Sequence, residues 1–312
     1  MTNLTVPEKG FAPAYLELER SGELSRRARA LYHAYRICRL CPRECLVNRL
    51  SGKKGVCQAT SVARVYSAHP HFGEEHALVG RNGSGTIFFG QCNLRCVFCQ
   101  NSEIVQPAAG SPVSDDELAG LMLDLQHQGC HNINLVTPTH YVPNIVQAVR
   151  IAIGGGLRIP LVYNCCGYEP MSVLQLLDGI VDIYLPDFKY ADKENAARYS
   201  PGARNYPEVA ATAIAEMYRQ VGDLVVDEDG IALRGLMIRH LVLPGGAAGT
   251  DRFVRFVAKQ LSPSTYVNIM PQYRPSYRAN RYPEISRPIT AEEFGEAISC
   301  AMEAGLTRLN RS

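Results

Sequence analysis

The sequence lacks the features that mark nucleic-acid-binding, membrane-spanning and exported proteins. Its 312 residues carry 32 Lys and Arg against 30 Asp and Glu, a formal net charge of +2, so charge does not favour nucleic acid or a membrane as a partner. No unbroken apolar run approaches the roughly 20 residues of a spanning helix. The opening segment, MTNLTVPEKGFAPAYLELER, has no apolar h-region, so we expect a cytoplasmic protein.

Cysteine, in contrast, is abundant, with 11 residues. Without an export signal these residues indicate metal or redox chemistry rather than disulfides. Seven fall into two groups at spacings that a metal can use, which are Cys38, Cys41, Cys45 and Cys57, then Cys92, Cys96 and Cys99. The roles of two others, the adjacent Cys165 and Cys166, stay open at this stage.

Short apolar runs alternate with helical stretches from residue 86 onward. The predicted strands are 86–90, 133–136, 159–164, 181–186, 236–244 and 265–270. The predicted helices lie near 115–129, 142–153, 170–178, 192–199, 207–221, 250–260 and 291–304. This order predicts an α/β fold with a parallel sheet. Six units fall short of the eight of a closed barrel, which leaves a partial barrel and an open, doubly wound sheet.

The remaining pattern gives a division of the chain and two further elements. We predict an N-terminal arm with a Cys-rich metal-binding module over residues 1–80, and the α/β domain over 81–312. Alternation over residues 61–68 predicts a strand within the first part. A hairpin is predicted around Asp229 and Gly230, before the fifth strand of the domain.

The central motif is GQCNLRCVFCQN, from Gly90 to Asn101, directly after the first strand of the domain. Its Cys-x3-Cys-x2-Cys spacing can hold three irons of a [4Fe–4S] cube, which leaves the fourth iron open to a cofactor or substrate. A zinc loop short of one ligand and a ferredoxin-type cluster with a remote fourth Cys are the alternatives. Zinc sites more often use paired C-x2-C units, so the open cluster is favoured.

Cys92, Cys96 and Cys99, with Phe98 before the last cysteine, resemble the signature of the radical S-adenosylmethionine (SAM) superfamily. The phrases CRLCPRECLVNR, NLVTPTHYVP, DFKYAD and RHLVLPG resemble the glycyl-radical-enzyme activases, in particular homologues of pyruvate formate-lyase activating enzyme. The resemblance runs from about Cys38 to the C-terminus. It implies a partial (β/α)6 barrel with an N-terminal cysteine-rich module, and a site at the carboxyl ends of the strands.

The same resemblance implies the chemistry and its participants. SAM would chelate the open iron, and reductive cleavage would give a 5′-deoxyadenosyl radical that abstracts hydrogen. In an activase, the hydrogen comes from a glycine of a partner enzyme, and reduced flavodoxin or ferredoxin donates the electron. Phe98 would lie near the adenine. Where the family usually carries Gly-Gly-Glu for the SAM amino group, this chain has Thr137, Pro138, Thr139 and His140, whose hydroxyls can accept from an ammonium.

The later strand ends supply the other SAM contacts that the resemblance implies. Asn164 stands where activases carry an Asp. Asp187 and Lys189 match a D-x-K pattern of the activases, with Lys189 as a contact to the SAM carboxylate. Of Arg239 and His240, alternation lets one face the interior, and we favour Arg239.

The first cysteine group, Cys38-x2-Cys41-x3-Cys45-x11-Cys57, supplies four thiolates. These can form a structural zinc site or fully ligate an auxiliary [4Fe–4S] cluster that relays electrons. The x3 spacing is unusual for a zinc knuckle, and we lean toward the cluster.

Three functions from different classes follow. The first is an activase, and the second is a radical SAM enzyme that modifies a small molecule, a peptide or a nucleotide. The third is a non-enzymatic iron–sulfur or zinc protein for electron transfer or binding. An open three-cysteine motif argues against the third.

Overall fold

A mostly parallel β-sheet forms the centre of the fold, as seen in a computed structural model that describes residues 11–310. The first part of the predicted arm, residues 1–10, lies outside the described residues. The strands are β1 (Ala63–His71), β2 (Ser84–Phe89), β3 (Ser111–Val113), β4 (Ile133–Val136), β5 (Leu161–Cys165), β6 (Ile183–Pro186), β7 (Val225–Val226), β8 (Ala232–Leu241), β9 (Tyr266–Met270) and β10 (Leu309–Asn310).

The strand order explains how one edge of the sheet collects the carboxyl ends of many strands. The order is β10-β9-β8-β6-β5-β4-β2-β1-β3, and every pairing from β10 to β2 is parallel. Among the described residues, the β1–β2 and β1–β3 pairings are the antiparallel ones along this path, while β7 forms the predicted hairpin with β8. The predicted α/β class is therefore confirmed. Among the described residues, no pairing joins the edge strands β10 and β3.

Helices follow the parallel strands as the periodicity predicts. They are α1 (Tyr15–Arg20), α2 (Glu23–His33), α3 (His76–Val79), α4 (Asp115–His127), α5 (Val142–Gly154), α6 (Met171–Leu177), α7 (Lys193–Tyr199), α8 (Tyr206–Val221), α9 (Thr250–Gln260) and α10 (Ala291–Glu303). Reciprocal capping boxes start α4 at Ser114 and α10 at Thr290, each worth about 1 kcal/mol. α9 buries Phe253 and Val257, one turn apart, as an amphipathic helix does.

The N-terminal segment shares the core of the sheet domain. β1 pairs with β2 although it precedes the predicted boundary at residue 80. The Tyr15 hydroxyl donates to the carbonyl of Ile159 at 2.8 Å, and the Tyr35 hydroxyl donates to Asn144 at 2.5 Å. Residues of both predicted parts belong to one continuous apolar cluster, so the described part of the first segment, residues 11–80, packs on the sheet rather than around a core of its own.

The connector between β1 and β2 fills the space beneath the candidate site. Its short helix α3 buries Leu78 against Val162, Ile183 and Met237 of β5, β6 and β8. Alternation along these strands puts residues 164, 187 and 239 on the same face, nearer the carboxyl ends. Helix α3 thus packs its apolar residues on the sheet face that carries residues 164, 187 and 239 nearer the carboxyl ends.

We predict that Leu78→Ala lowers the free energy of unfolding by about 2–5 kcal/mol, because a fully buried leucine leaves a cavity between the connector and three strands. Urea denaturation of the purified protein measures the change. Val225→Ala is the matched control, since Val225 is 55% exposed and its truncation should cost no more than about 0.5 kcal/mol. Equal losses in the two variants would show that α3 is not packed as described.

Candidate active site

A cavity of about 480 Å³ lies where the carboxyl ends of the parallel strands meet. Each of six strands contributes a residue within two positions of its carboxyl end, namely Phe88, Thr137, Asn164, Asp187, Arg239 and Asn268. The sheet therefore collects side chains that lie up to 180 positions apart in the sequence at one place, where α/β proteins commonly bind ligands.

The cysteine loop after β2 forms one wall of this cavity. Cys92, Cys96 and Cys99 all line it. The backbone N–H of Leu94 donates to the Cys92 sulfur at 3.4 Å, and the Ser200 hydroxyl donates to the Cys96 sulfur at 3.2 Å. Within the loop, Arg95 holds a left-handed backbone with φ 59°, a strained conformation that is concentrated at functional sites. The loop is thus shaped to present three sulfurs to one space.

Burial and hydrogen bonding together set the pKa of these thiols when no metal is bound. Burial raises the pKa of Cys96, and it raises the pKa of Cys99 to about 12. A hydrogen bond from Cys166 lowers the pKa of Cys92 to about 6, and the Cys166 thiol also lies 3.4 Å from the side-chain oxygen of Asn93. Three buried sulfurs can all be thiolates only when a strong positive charge, such as bound iron, compensates them.

Lys189 is a cation that lines the same cavity and acts on the sulfurs of this wall. Its ammonium lies 2.8 Å from the Asp187 carboxylate, and its charge opposes the rise in the pKa of Cys96 and Cys99. Burial alone would lower the pKa of Lys189, but the charges of Asp187 and Cys96 outweigh it and raise that pKa. Lys189 therefore stays protonated beside the sulfurs.

Arg239 also lines the cavity, but two carboxylates from the α3 connector already pair with it. Its guanidinium donates to both oxygens of Glu75, at 2.7 and 2.6 Å, and to Glu74. Glu75 accepts a further hydrogen bond from the Asn268 amide at 2.9 Å. The side-chain oxygen of Asn268 is buried and has no partner among the described residues.

Two of the residues predicted to contact SAM, Thr139 and His140, do not line the cavity. The left-handed backbone of Thr137, with φ 60°, turns the chain as soon as β4 ends, and residues 139–141 form a 3-10 turn behind the wall. The Thr139 hydroxyl donates to Glu169 at 2.6 Å, and the His140 Nε2 lies 2.8 Å from the carbonyl oxygen of Gly90. Burial lowers the pKa of His140 to about 3, so this histidine is a neutral structural link to the cysteine loop.

Glu169 is a buried acid that sequence reasoning missed. It accepts hydrogen bonds from Thr139 and from the Tyr163 hydroxyl at 3.1 Å, and burial raises its pKa to about 8. Its only sequence signal is an acid just after the third predicted strand. The pairing of Glu74 and Glu75 with Arg239 could not be predicted from the sequence, because 164 positions separate Glu75 from Arg239.

The four early cysteines belong to a segment held by local backbone hydrogen bonds: the N–H of Leu46 donates to the carbonyl of Cys38 and the N–H of Glu44 donates to the carbonyl of Cys41, both at 3.1 Å. Cys38, Cys41 and Cys57 are buried and Cys45 is partly exposed. The N–H of Val56 donates to the Cys45 sulfur at 3.3 Å. A Cβ on Gly55 would lie 2.6 Å from that sulfur, so only glycine fits there. Three non-glycine residues around this group, Glu44, Leu46 and Gln58, have positive φ.

Comparisons with known proteins now bear on these two groups. A profile of the Radical SAM superfamily matches residues 86–227. The chain is also 33% identical to the uncharacterized protein MJ0674 of Methanocaldococcus jannaschii over 285 residues, which cover 87% of this chain and 76% of that protein. The chain belongs to the radical SAM superfamily. The four early cysteines lie before the matched residues.

Membership in the radical SAM superfamily implies an enzyme that binds a [4Fe–4S] cluster and SAM and carries out radical chemistry. The donor set of this chain fits that group, since three sulfurs and one lysine share a cavity. Within residues 11–310, no three His, Cys, Asp or Glu side chains are close enough together to hold a single metal ion. A cube takes each thiolate on a different iron, so its ligands need not converge on one point. No helix in the described range is long and apolar enough to cross a bilayer.

We predict that Glu169 makes the stability of the protein depend on pH. Its folded pKa of about 8 exceeds the usual 4.5, so its contribution is fully present below about pH 4.5 and is lost as the pH rises through 8. Over that window the free energy of unfolding should fall by up to about 1.4 kcal/mol per pH unit from this group. Glu169→Gln should flatten the profile in urea denaturation at pH 5–8.

Asp182 provides the internal comparison for that experiment. Burial raises its pKa to about 7, so a slope from Asp182 should remain in Glu169→Gln. An unchanged total slope in the variant would contradict the raised pKa of Glu169.

Proposed function

We propose that Cys92, Cys96 and Cys99 ligate the [4Fe–4S] cluster of this enzyme and that the cavity beside them binds SAM. When bound, the cluster supplies one electron to the sulfonium of SAM, which yields methionine and a 5′-deoxyadenosyl radical. The single observation that carries this proposal is that all three cysteines and Lys189 line one cavity at the carboxyl ends of the strands. The six parallel strands that line the cavity, β2, β4, β5, β6, β8 and β9, also support a partial (β/α)6 barrel.

The chain's own residues have distinct tasks in this proposal. Lys189 pairs with the SAM carboxylate, and Asp187 holds its ammonium in position from 2.8 Å. Phe98 contacts the adenine, since it lines the cavity and Tyr190, Tyr199 and Tyr273 fix its ring edge-on, with centroids 5.7–6.4 Å away.

The remaining predicted contacts differ in what supports them. Thr137 and Asn164 line the cavity and can accept from the SAM amino group. Arg239 lines it too, but its charge is balanced by Glu74 and Glu75, so we assign it to the cavity floor. Thr139 and His140 support the wall from behind, through Glu169 and the carbonyl of Gly90.

We propose a glycine residue of a partner enzyme as the source of the abstracted hydrogen. The activase-like phrases of the sequence support this substrate. A second observation favours a polypeptide: β3 covers only residues 63–65 of β1. Among the described residues, no strand pairs with the outer edge of residues 66–71, and His71 at the end of this edge lines the cavity. An extended partner segment can add to such an edge. Modification of a small molecule, a peptide or a nucleotide is the second candidate.

The partners and setting complete the proposal. Reduced flavodoxin or ferredoxin supplies the electron, and the enzyme works in the cytoplasm. Cys38, Cys41, Cys45 and Cys57 hold a second metal, as an auxiliary [4Fe–4S] cluster or as zinc, within residues 1–80, and residues 81–312 form the catalytic domain.

We predict that the wild-type protein, purified and reduced without oxygen, converts SAM to 5′-deoxyadenosine, and that Cys96→Ala loses at least about 99% of this turnover. Removal of Cys96 leaves one iron without its thiolate, so the cluster is lost or misbound. Liquid chromatography of 5′-deoxyadenosine measures the reaction. Cys300→Ala, which alters a partly exposed cysteine of α10, is the matched control. No cleavage by iron-loaded wild type would sink the enzyme proposal and leave the electron-transfer or binding protein.

We predict that a cognate partner enzyme, incubated with the reduced protein and SAM, develops a glycyl radical signal in electron paramagnetic resonance (EPR) spectra. One molecule of 5′-deoxyadenosine should form for each radical. When the partner's glycine carries deuterium at Cα, the label should appear in 5′-deoxyadenosine. SAM cleavage without any glycyl radical across candidate partners would favour the second substrate class.

A further inference from the structure

An arginine within the segment of the four early cysteines donates hydrogen bonds to the turn between Cys92 and Cys96. Arg43 lies between Cys41 and Cys45 in sequence. Its Nε donates to the carbonyl of Asn93 at 3.0 Å, its Nη2 to the carbonyl of Leu94 at 2.9 Å, and its Nη1 to the carbonyl of Pro201 at 2.7 Å. A planar guanidinium is suited to hold several acceptors in one fixed geometry.

A second arginine makes the connection in the opposite direction. Arg95, from the same turn, donates to the carbonyl of Val56 at 2.9 Å. The N–H of Val56 in turn donates to the Cys45 sulfur at 3.3 Å. Two sets of hydrogen bonds therefore connect the Cys92–Cys96 turn to the segment of the early cysteines. Arg43 donates from the early segment to the turn, and Arg95 donates from the turn to the early segment.

A third arginine, Arg49, indicates what charge the early cysteines carry. It is only 1% exposed and donates to the carbonyls of His140 and Thr60, while Tyr35 lies under it with 4.5 Å from the guanidinium carbon to the ring centroid. No carboxylate pairs with it among the described residues, and its Nε is buried without a partner there.

An isolated buried charge costs several kcal/mol, so a buried arginine normally has an anion nearby. Arg49 lies between the chain segments of two early cysteines. It donates to the carbonyl of Thr60, three positions after Cys57, and the N–H of Cys38 donates to the carbonyl of Val47, two positions before Arg49, at 3.0 Å. Thiolates of these two cysteines would supply the missing anion. Buried thiols remain thiolates when a metal binds them.

We propose that Cys38, Cys41, Cys45 and Cys57 form an anionic four-thiolate metal centre with Arg49 as its buried counter-ion, and that this centre holds the Cys92–Cys96 turn in its ligating conformation through Arg43. Ligation of Cys41 and Cys45 fixes the backbone on both sides of Arg43. Among residues 11–310 the cysteine sulfurs do not converge on a single point, which favours a fully ligated [4Fe–4S] cluster, with each thiolate on a different iron, over zinc. The role of Arg43 rests on the proposed function, in which Cys92, Cys96 and Cys99 bind the catalytic cluster.

The variant Arg43→Gln removes the hydrogen bonds of Arg43 to the Cys92–Cys96 turn and leaves every cysteine ligand in place. We expect the reconstituted variant to keep the second centre but to release catalytic-cluster iron to a ferrous chelator at least tenfold faster than wild type, because three hydrogen bonds from a charged donor are lost. The SAM-induced change in the EPR spectrum should weaken in parallel. Arg39→Gln is the matched control, because Arg39 is an exposed arginine between Cys38 and Cys41. Equal release rates in Arg43→Gln and wild type would overturn the role of Arg43.

The metal centre itself is tested by metal content per chain. Wild type should hold about eight irons if the second centre is a cluster, or about four irons and one zinc if it is zinc. Cys57→Ala should lose that second set and also release catalytic iron faster. Arg49→Met, which keeps volume but removes the charge, should bind the second metal at least tenfold more weakly. Metal content in Cys57→Ala equal to that of wild type would overturn the second centre.

Failure of the proposed function gives a different result. A wild-type protein that binds the second metal but shows no SAM-dependent spectral change and forms no 5′-deoxyadenosine would refute the catalytic assignment and leave the four-thiolate centre supported.

Discussion

Compensation of buried charge is the constraint on which the cavity depends. The carboxyl ends of the strands bring Asp187, Lys189 and Arg239 into a space with little solvent, where an unpaired ion costs several kcal/mol. The fold meets this cost locally for Lys189, with Asp187 two positions before it. It meets the cost for Arg239 from a distance, with Glu74 and Glu75 on the α3 connector. Two interactions thus hold the α3 connector on the sheet: the ion pairs of Glu74 and Glu75 with Arg239, and the packing of Leu78 against the strands.

The same constraint links the two cysteine groups. Neutral thiols can be buried at small cost, but thiolates cannot, so each group needs a cation or a metal before it can act as a ligand set. Lys189 serves the catalytic group and Arg49 lies beside the early one. Arg43 and Arg95 then join the two loops through backbone carbonyls alone. These hydrogen bonds fix the position of one loop relative to the other, and in the proposed assignment they let the early group act on the catalytic cluster from outside the family-matched residues.

Local patterns in the sequence predicted most of the fold because they depend on neighbouring residues. Strand β4 and helix α9 have the predicted bounds of 133–136 and 250–260. Strand β1 runs to His71 rather than to residue 68, because pairing with β2 carries the chain through His-Pro-His, which has little strand preference of its own. The cavity floor could not be predicted in this way, since Glu75 and Arg239 meet only after the connector packs on the sheet. The backbone turn at Thr137, which takes Thr139 and His140 away from the cavity, is likewise a tertiary feature.

The paired ions of the cavity also constrain how SAM is recognised. In the proposed binding mode, a SAM carboxylate shares Lys189 with Asp187, because the two carboxylates compete for one ammonium. Arg239 is less suited to this role, since two glutamates already occupy its donors. The SAM ammonium finds no acid at the end of β4, and Glu169 behind Thr139 is protonated at neutral pH because burial raises its pKa to about 8. Neutral acceptors such as Thr137 and Asn164 are therefore left for the ammonium. Hydrogen bonds from a charged donor to neutral oxygens are directional but weaker than an ion pair, so the chelating iron must carry more of the affinity for SAM in this chain than in a relative with an acid at that strand end.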